Sequence, residues 1–355
     1  MRIGIIIGSL GFGGAERVSV SLAEWWLKRG HQVDFFTTKT PPKSEYSLHR
    51  EIGRYDCHVD KGNMKLILSL RSIVKMKHPD VVLIMDTPMC VYAVPALLGL
   101  DIPFVVSERS APNRAAVKTE TRILSRLFMC FADAFIFQTN GAKSYFPAMI
   151  QKRGFVIPNP LSVDKLPAPC KGIREKKVVA VGRLITAKNY PLLIDAFILF
   201  ANDHADYLLE IYGEGPERSF LEEYIRMRNA QDIVTLKGSY SNVLSKIYNA
   251  QMYVLSSDLE GMPNALIEAM AIGIPSIATD CPSGGPAYLI QDGVNGLLVP
   301  TGNSKALAEA MTMLARDDSL NNKLSTNGQN VRKILDIDKI GAEWEIVLST
   351  TVTSR

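Results

Sequence analysis

Short runs of apolar, often β-branched residues alternate with longer segments of helical periodicity along almost the whole chain. Such runs are typical of strands buried on both faces of a parallel sheet, with the intervening segments as crossover helices. We therefore expect an α/β fold built from doubly wound sheets. The runs that predict strands are Arg2–Gly8, Val33–Thr37, Val81–Met85, Phe104–Val106, Ala134–Phe137, Phe155–Ile157, Val178–Val181, Tyr207–Tyr212, Ile233–Leu236, Met252–Leu255, Ser276–Ala278 and Gly296–Val299.

The alternation breaks once, at a segment rich in proline between residues 158 and 169, and then restarts. A chain of 355 residues is long enough for two such domains. We predict a first domain over 1–165, a second over 166–335, and a C-terminal helix over 336–355 that packs back on the first domain. Two doubly wound domains in tandem should face each other across a cleft, with ligands beyond the carboxyl ends of the strands.

Cysteine and histidine usage argues against metal sites and disulfides. The five cysteines include no CxxC pair, and none of the five histidines belongs to an HExxH motif. No stretch approaches the ~20 apolar residues that a membrane span needs. We expect a cytoplasmic protein with no bound metal.

Charge is distributed unevenly along the chain. Residues 1–165 contain 22 Lys and Arg against 14 Asp and Glu, a formal charge of +8, whereas the remainder carries −4. A basic first half suits an anionic partner, either a phosphorylated acceptor or an acidic membrane surface, although a merely solvated surface would look the same.

One basic segment with helical spacing lies in this half. Lys118, Arg122 and Arg126 follow one another at four-residue intervals beside apolar residues, a pattern that fits either contact with an anionic membrane or an ordinary surface helix. Aromatic residues do not interleave with the basic ones, so we expect no nucleic-acid partner.

Two cations follow the first strand of the second domain. Gly182-Arg183-Leu184 comes directly after Val178–Val181, and Lys188 follows shortly after. Cations at the carboxyl end of a strand could clamp a diphosphate, although an exposed loop with two ordinary basic residues is the alternative.

A denser constellation follows the strand Met252–Leu255. Pro263 suits the first position of a helix, whose exposed N–H groups would form an anion site at Asn264, Ala265 and Leu266. Glu268 leans toward that helix start and could accept hydrogen bonds from ribose hydroxyls, while Glu260 lies in the preceding loop. The alternative is a capping acid and a solvated glutamate.

These residues resemble a known family. The run Glu260–Glu268 resembles the signature of retaining family 4 glycosyltransferases of GT-B fold, in which two glutamates flank Gly-Met-Pro-Asn. Four further motifs match in order: Gly11-Phe12-Gly13-Gly14-Ala15-Glu16-Arg17, Gly182-Arg183-Leu184 with Lys188, Ile211-Tyr212-Gly213-Glu214-Gly215-Pro216, and Asp292-Gly293 with Asn295–Val299. The resemblance covers nearly the whole chain.

The resemblance implies a function and a set of roles. The first domain would bind the acceptor and the second a nucleotide sugar, most simply a UDP-sugar, as substrate and without a cofactor. A hexose or N-acetylhexosamine would be transferred with retention by front-face displacement, the leaving phosphate taking the acceptor proton. Glu260, Arg183 and Lys188 would be catalytic; Gly13, Gly14, Gly182, Gly213, Lys237, Gly238, Met262, Pro263, Asn264, Ala265, Leu266 and Glu268 would bind the donor.

One site departs from the family pattern. Where many relatives carry a histidine after the strand Phe104–Val106, this chain has Ser107-Glu108-Arg109-Ser110. Glu108 or Arg109 would then meet the acceptor. This form is similar to transferases that build bacterial surface polysaccharides such as O-antigen, capsule or exopolysaccharide on a polyprenyl-diphosphate carrier, which implies work at the inner face of the cytoplasmic membrane.

Three other readings remain open. A Rossmann oxidoreductase would need a third glycine where this chain has Glu16. A UDP-sugar epimerase would share the nucleotide site but use no acceptor. A non-catalytic nucleotide-binding protein would retain the fold alone. The string Asp336-Ile337-Asp338 resembles a metal-binding DxD motif, but it falls in the predicted helical tail and we interpret it as chance.

Overall fold

The computed structural model describes residues 1–42, 44–59, 62–111, 118–170 and 172–354. Its strands are all parallel and form two sheets. They are β1 (Arg2–Ile7), β2 (Gln32–Thr37), β3 (Gly53–Asp56), β4 (Val81–Met85), β5 (Phe104–Glu108), β6 (Ala134–Phe137), β7 (Gly154–Val156), β8 (Glu175–Val181), β9 (Leu208–Tyr212), β10 (Val234–Gly238), β11 (Ala250–Leu255), β12 (Ser276–Thr279) and β13 (Leu297–Val299).

Helices connect these strands throughout. They are α1 (Gly14–Lys28), α2 (Asn63–Lys77), α3 (Cys90–Leu97), α4 (Thr119–Met129), α5 (Asn140–Ser144), α6 (Ala148–Lys152), α7 (Tyr190–Ala201), α8 (Arg218–Met227), α9 (Leu244–Ile247), α10 (Asn264–Ala271), α11 (Gly285–Leu289), α12 (Ser304–Arg316), α13 (Asp318–Gly328), α14 (Val331–Ile334) and α15 (Ile337–Thr353). Short 3₁₀ turns occupy Thr87–Met89, Val163–Lys165 and Thr186–Lys188. The predicted α/β class with two doubly wound sheets is confirmed.

The chain forms two compact units. The first contains Met1–Pro160 and Leu335–Arg355, and the second contains Leu161–Ile334. The first unit therefore ends inside the proline-rich segment, five residues before the boundary that we predicted at 165, because the buried Leu161 and the residues after it cluster with the second unit.

The first unit contains a sheet of seven strands in the order β3-β2-β1-β4-β5-β6-β7. Our prediction of six strands here was wrong, because it missed β3. This edge strand reads Gly-Arg-Tyr-Asp and is only partly buried, so it has no apolar run to detect. A strand paired on one side only does not need a continuous apolar sequence.

Both faces of the first sheet are covered by helices. Alternate residues of β1 point to opposite faces: Ile3 and Ile5 pack into one hydrophobic cluster with α1 and α15, and Ile6 packs into another with α2 and α3. This is why the strand sequences are apolar throughout rather than alternating.

The C-terminal helix α15 packs against α1 within the first unit. The rings of Trp26 and Trp344 lie edge to face at 6.4 Å, and the Trp25 Nε1 group donates to Asp338 Oδ1 at 2.7 Å. A Cβ on Gly341 would lie 2.7 Å from the Trp25 ring, so the two helices approach closely at this glycine. Asp336 and Asp338 therefore have structural roles: Asp336 caps α15, and Asp338 holds Trp25.

The second unit contains a sheet of six strands in the order β10-β9-β8-β11-β12-β13. Its main core packs α7, α8 and α12 on one face, around Phe197, Met252 and Leu307. Among the residues that the structure describes, no helix combines the length and the apolar character that crossing a bilayer would require.

Candidate active site

Strand order reverses between β8 and β11, which are neighbours in the second sheet. Chain connections leave this point in opposite directions, and the loops after the two strands open a crevice at the carboxyl edge. The loop after β8 carries Arg183 and Lys188, and the loop after β11 carries Glu260. Fold topology thus brings together the three residues predicted to be catalytic.

Lys188 and Glu260 form an ion pair at this switch point. The Lys188 ammonium group donates to Glu260 Oε1, and the two side chains are only 17 % and 13 % exposed. Ser257 Oγ donates to the same carboxylate oxygen at 2.8 Å. Two donors therefore hold this oxygen of the Glu260 carboxylate in a fixed position.

The turn that carries Lys188 is fixed by its neighbours. Asn189 adopts a left-handed backbone (φ 45°), and its side-chain oxygen caps α7 by accepting from the Leu192 N–H at 3.2 Å. The Asn189 amide nitrogen lies 3.0 and 3.1 Å from the two carboxylate oxygens of Asp258. Ser256 Oγ donates to the Lys188 carbonyl at 2.9 Å, so the loops after β8 and β11 are joined directly on both sides of the ion pair.

Arg183 is presented differently. Arg183 is exposed, and its guanidinium forms no ion pair with any residue in the described part of the chain. An exposed cation close along the chain to a paired one is free to bind an anionic ligand.

The loop after β11 leads into α10. Pro263 is the N-cap and not, as we predicted, the first helical residue. The Leu266 N–H donates to the Pro263 carbonyl at 3.1 Å, so our prediction that it faces a ligand was wrong. Asn264 and Ala265, both half-buried, remain as the positions predicted to offer N–H groups.

Glu268 lies on α10, one turn beyond its start. It is buried, with 4 % of its surface exposed, although a glutamate in a helix usually faces solvent. A buried carboxylate close to a helix N-terminus is stabilised by the positive end of the helix dipole.

Close packing shapes the loop that contains Met262. Ser283 Oγ donates to the Glu260 carbonyl, and Met262 itself is buried. A Cβ on Gly285 would lie 1.6 Å from the Gly261 carbonyl oxygen. Only glycine therefore allows α11 to approach the Glu260 loop as it does.

Three of the predicted donor-binding glycines come together at the same edge of the sheet. The Gly213 N–H donates to the Gly238 carbonyl at 2.8 Å, and a Cβ on Gly213 would lie 1.9 Å from the Gly182 carbonyl oxygen. Gly213 and Gly238 also have positive φ angles of 150° and 78°. Lys237 is paired with Glu210, at 3.2 Å.

The predicted acceptor residue Glu108 ends β5 in the first unit and is buried. Ser110 Oγ lies 2.5 Å from Glu108 Oε1 and 3.2 Å from Asp86 Oδ1. Asp86 follows β4 with a strained φ of 90°. Glu108 and Ser110 also line a small cavity with Arg122 and Arg126, so one carboxylate and two cations share this site.

Arg109 does not take part in this cavity. It is buried, and its guanidinium donates to Asn159 Oδ1 at 3.0 Å and lies 4.9 Å from the centre of the Trp344 ring. Burial lowers the pKa of Arg109 to about 9, which leaves it charged at neutral pH. The prediction that Arg109 meets the acceptor is therefore corrected: it is a positioning residue that holds α15.

The remaining predicted residues, Gly13 and Gly14, lie at the start of α1 in the first unit. Gly13 is the N-cap, and Gly14 is the first helical residue. The glycine-rich loop after β1 therefore leads directly into the N-terminus of α1, as the sequence predicts.

Several residues of the site were missed by sequence reasoning. Ser257 and Asp258 follow a predicted strand next to Glu260, and Asp86 follows β4, so position after a strand was a usable signal for all three. Ser283 gave no such signal, because it reaches Glu260 from a loop 23 residues away.

Two family models match this chain, and together they cover most of it. The model for Glycosyltransferase Family 4 matches residues 12–165, and that for Glycosyl transferases group 1 matches residues 171–331. The second match contains Arg183, Lys188, Glu260 and Glu268.

Full-length relatives support the same assignment. The chain is 25 % identical to an uncharacterised glycosyltransferase of Haemophilus influenzae, covering 98 % of this chain and 99 % of the relative. It is 29 % identical to a Campylobacter jejuni GalNAc-alpha-(1->4)-GalNAc-alpha-(1->3)-diNAcBac-PP-undecaprenol alpha-1,4-N-acetyl-D-galactosaminyltransferase, covering 97 % of each.

A solved structure shares the fold. The Anabaena protein HepE, in complex with UDP and glucose, aligns with a TM-score of 0.84 at 19 % identity, covering 98 % of this chain and 99 % of HepE. The family models and full-length relatives, together with the two Rossmann-like sheets, confirm the resemblance seen in the sequence. The chain therefore belongs to the family 4 glycosyltransferases of GT-B fold.

Proposed function

We propose that this glycosyltransferase moves a hexose or N-acetylhexosamine from a UDP-sugar to a lipid-linked glycan, with retention of anomeric configuration, during synthesis of a bacterial polysaccharide. The observation that carries the donor site is the Lys188–Glu260 ion pair at the strand-order switch, beside the start of α10. HepE has been solved with UDP, and the Campylobacter relative is named for an acceptor on diphospho-undecaprenol, which supports both substrate classes.

The donor diphosphate would bind between the loop after β8 and the N-terminus of α10. Arg183 supplies an exposed guanidinium, Lys188 an ammonium group, and the helix start at Asn264 and Ala265 the positive end of its dipole. Glu268 would accept hydrogen bonds from the ribose, and Glu260 would contact the transferred sugar. The nucleotide sugar is a substrate, and we propose no further cofactor.

The chemical step needs charge stabilisation more than a nucleophile. As the bond between the anomeric carbon and the phosphate oxygen breaks, the acceptor oxygen bonds to that carbon from the same face. The acceptor proton passes to the departing phosphate oxygen. Arg183 and Lys188 would stabilise the negative charge that collects on the diphosphate, where fixed cations contribute most.

The acceptor would bind to the first unit. Glu108, Ser110 and Asp86 place carboxylate and hydroxyl groups together at the ends of β4 and β5, which suits binding of sugar hydroxyls. Arg122 and Arg126 line the same cavity and would favour a phosphorylated carrier. Such a carrier lies in a membrane, so the enzyme would work at the inner face of the cytoplasmic membrane.

A thermal-shift panel with UDP, GDP, ADP, CMP and NAD tests the donor class. A ligand at ~100 times its Kd stabilises the native state by about 2.7 kcal/mol, which raises Tm by several degrees. We expect a selective shift with UDP. A shift with NAD alone would overturn the proposal.

Two further assays test acceptor use and stereochemistry. A UDP-sugar epimerase would turn over donor with no acceptor present, whereas the proposed enzyme should need the acceptor for rapid turnover. NMR of the product made from a UDP-α-sugar should show an α linkage, and a β linkage would exclude retention.

A further inference from the structure

The solvent-facing stripe of α2 is unusually apolar. Met64, Leu68 and Met76 are 66 %, 57 % and 67 % exposed, while the opposite side of the helix buries Leu70 and Val74. A surface helix normally turns polar residues to water along this stripe. The other face of α2 is already occupied, so the exposed side chains are not part of the core.

Helix α4 has the same character. Ile123, Leu124 and Leu127 are exposed, whereas Ser125 is buried and donates to the Thr121 carbonyl at 2.6 Å. The outward side of this helix is therefore more apolar than part of its inward side. Burying a serine and exposing three large aliphatic residues has no benefit for a helix that faces water alone.

The two stripes belong to one layer of helices. Both α2 and α4 contact α3, and all three pack on the same face of the first sheet. Arg71 of α2 donates to the carbonyls of Ala96 and Leu98 at 3.0 and 2.6 Å, which fixes α2 against the end of α3. We call the exposed apolar residues of this layer the α2–α4 face: Met64, Leu68, Met76, Leu98, Ile123, Leu124 and Leu127.

Exposed lysines lie beside the α2–α4 face: Lys65 and Lys75 on α2, and Lys118 directly before α4. Helix α2 contains four basic residues and no acidic one: Lys65, Arg71, Lys75 and Lys77. Lys118 precedes α4, whose Arg122 and Arg126 line the cavity with Glu108, and Glu120 is the acidic residue of this helix. Exposed apolar area next to basic residues is the pattern of helices that lie in an anionic membrane interface.

We propose that the α2–α4 face docks on an anionic lipid bilayer, with α2 contributing as much as α4. This inference rests on the proposed lipid-linked acceptor and identifies the surface that would approach its membrane. A bilayer fits better than a second copy of the chain, because a symmetric dimer through this face would bring like charges of the two α2 helices together.

Vesicle flotation of the full chain tests the proposal. The probes are vesicles of equal parts phosphatidylcholine and phosphatidylglycerol, with pure phosphatidylcholine for comparison. We expect wild type to bind the anionic vesicles, less so at high salt. Met64→Ser with Leu68→Ser, and separately Ile123→Ser with Leu127→Ser, should each weaken binding about tenfold or more.

A matched control removes exposed apolar residues from helices of the second unit. Met227→Ser with Met313→Ser changes two comparably exposed methionines and should leave vesicle binding unchanged. Lys65→Glu with Lys75→Glu should weaken binding to anionic vesicles only.

Three outcomes would overturn the inference. The first is that wild type does not bind anionic vesicles, and the second is that Met64→Ser with Leu68→Ser binds them as tightly as wild type does. The third is that wild type is a dimer in solution and that Leu68→Ser dissociates it. UDP affinity and transfer to a water-soluble acceptor are measured in parallel, and all these variants should retain both. If the wild-type protein did not bind UDP, the proposed function would be refuted instead, while vesicle binding would stand as an independent result.

Discussion

The ammonium group of Lys188 and the carboxylate of Glu260 form an ion pair although 72 residues separate them in the chain. Each residue follows a central strand of the second sheet, and the pair joins the two loops at the strand-order switch. Because both side chains are largely buried, each charge depends on the other for the solvation that it has lost. The pair therefore holds the two loops in place, in addition to the catalytic role that we propose for both residues.

Removing either partner should leave a poorly solvated charge. We expect Lys188→Ala and Glu260→Ala each to lower the free energy of unfolding by about 1–3 kcal/mol, and the double variant to cost less than their sum. Urea denaturation of the four proteins measures the coupling. Lys176→Ala, which removes an exposed ion pair with Asp206, is the control and should change stability little. Additive losses would show that the pair has no energetic role.

The two glutamates of the signature should separate in function. Glu268→Ala should weaken UDP binding about tenfold or more, because a hydrogen bond to a charged group contributes about 1.5–3 kcal/mol. Glu260→Ala should lower kcat with less effect on UDP affinity, since it would contact the transferred sugar. Calorimetric titration with UDP and steady-state kinetics distinguish the two effects. Wild-type turnover in both variants would refute the site assignment.

Gly285 should not tolerate a side chain. A Cβ there would lie 1.6 Å from the Gly261 carbonyl oxygen, so Gly285→Ala must move the backbone next to Glu260. We expect a large loss of kcat together with a lower Tm. Gly172→Ala is the matched control, because a Cβ there meets no atom within 4 Å. Unchanged kcat in Gly285→Ala would mean that the Glu260 loop can shift without cost to catalysis.

The sequence indicated the candidate site because its residues follow predicted strands. Where the sequence-based predictions failed, the causes are physical. Glu260 and Lys188 could be found because a residue after a parallel strand lies at the functional edge of a sheet. The contact between these two side chains could not be predicted, because the sequence of one loop does not specify the path of the other. Arg109 was misassigned because it lies after β5, near the position where many relatives carry a histidine, whereas Trp344 from the other end of the chain covers it.

The edge strand β3 and the cap of α10 illustrate a second limit. Strand β3 has no apolar run because it pairs with β2 alone, so periodicity cannot reveal it. Pro263 was expected as the first residue of the helix, yet it precedes α10 and its carbonyl accepts from the Leu266 N–H. The sequence located the start of α10 to within one residue, whereas the N–H groups that this start exposes depend on backbone geometry.

Thiol reactivity should follow burial. Burial raises the pKa of Cys281 and of Cys57 to about 12, and the negative charge of Glu260 contributes at Cys281. Both thiols therefore remain protonated at pH 8, and only the thiolate reacts with iodoacetamide. Mass spectrometry should find the exposed Cys130 alkylated in the native protein, and all five cysteines alkylated in denaturant. Equal labelling of Cys281 and Cys130 would contradict the packing around Glu260.

Arg109 should matter for stability and not for the acceptor. Its buried guanidinium donates to Asn159 and to the Ile157 carbonyl and lies over the Trp344 ring. A lysine cannot reproduce that planar arrangement, so Arg109→Lys should lower the free energy of unfolding by about 2–4 kcal/mol. Arg316→Lys, at an exposed arginine paired with Asp203, is the control and should cost little.

Kinetics of the same variant separate the two roles of Arg109. If it positions α15, Trp344→Leu should reproduce the loss of stability, and both variants should keep a normal KM for the acceptor at a temperature where they are folded. If Arg109 instead contacted the acceptor, Arg109→Lys would raise that KM with little change in Tm, and Trp344→Leu would not share the effect. Urea denaturation and acceptor kinetics on the two variants therefore decide between an arginine that holds the C-terminal helix and one that binds substrate.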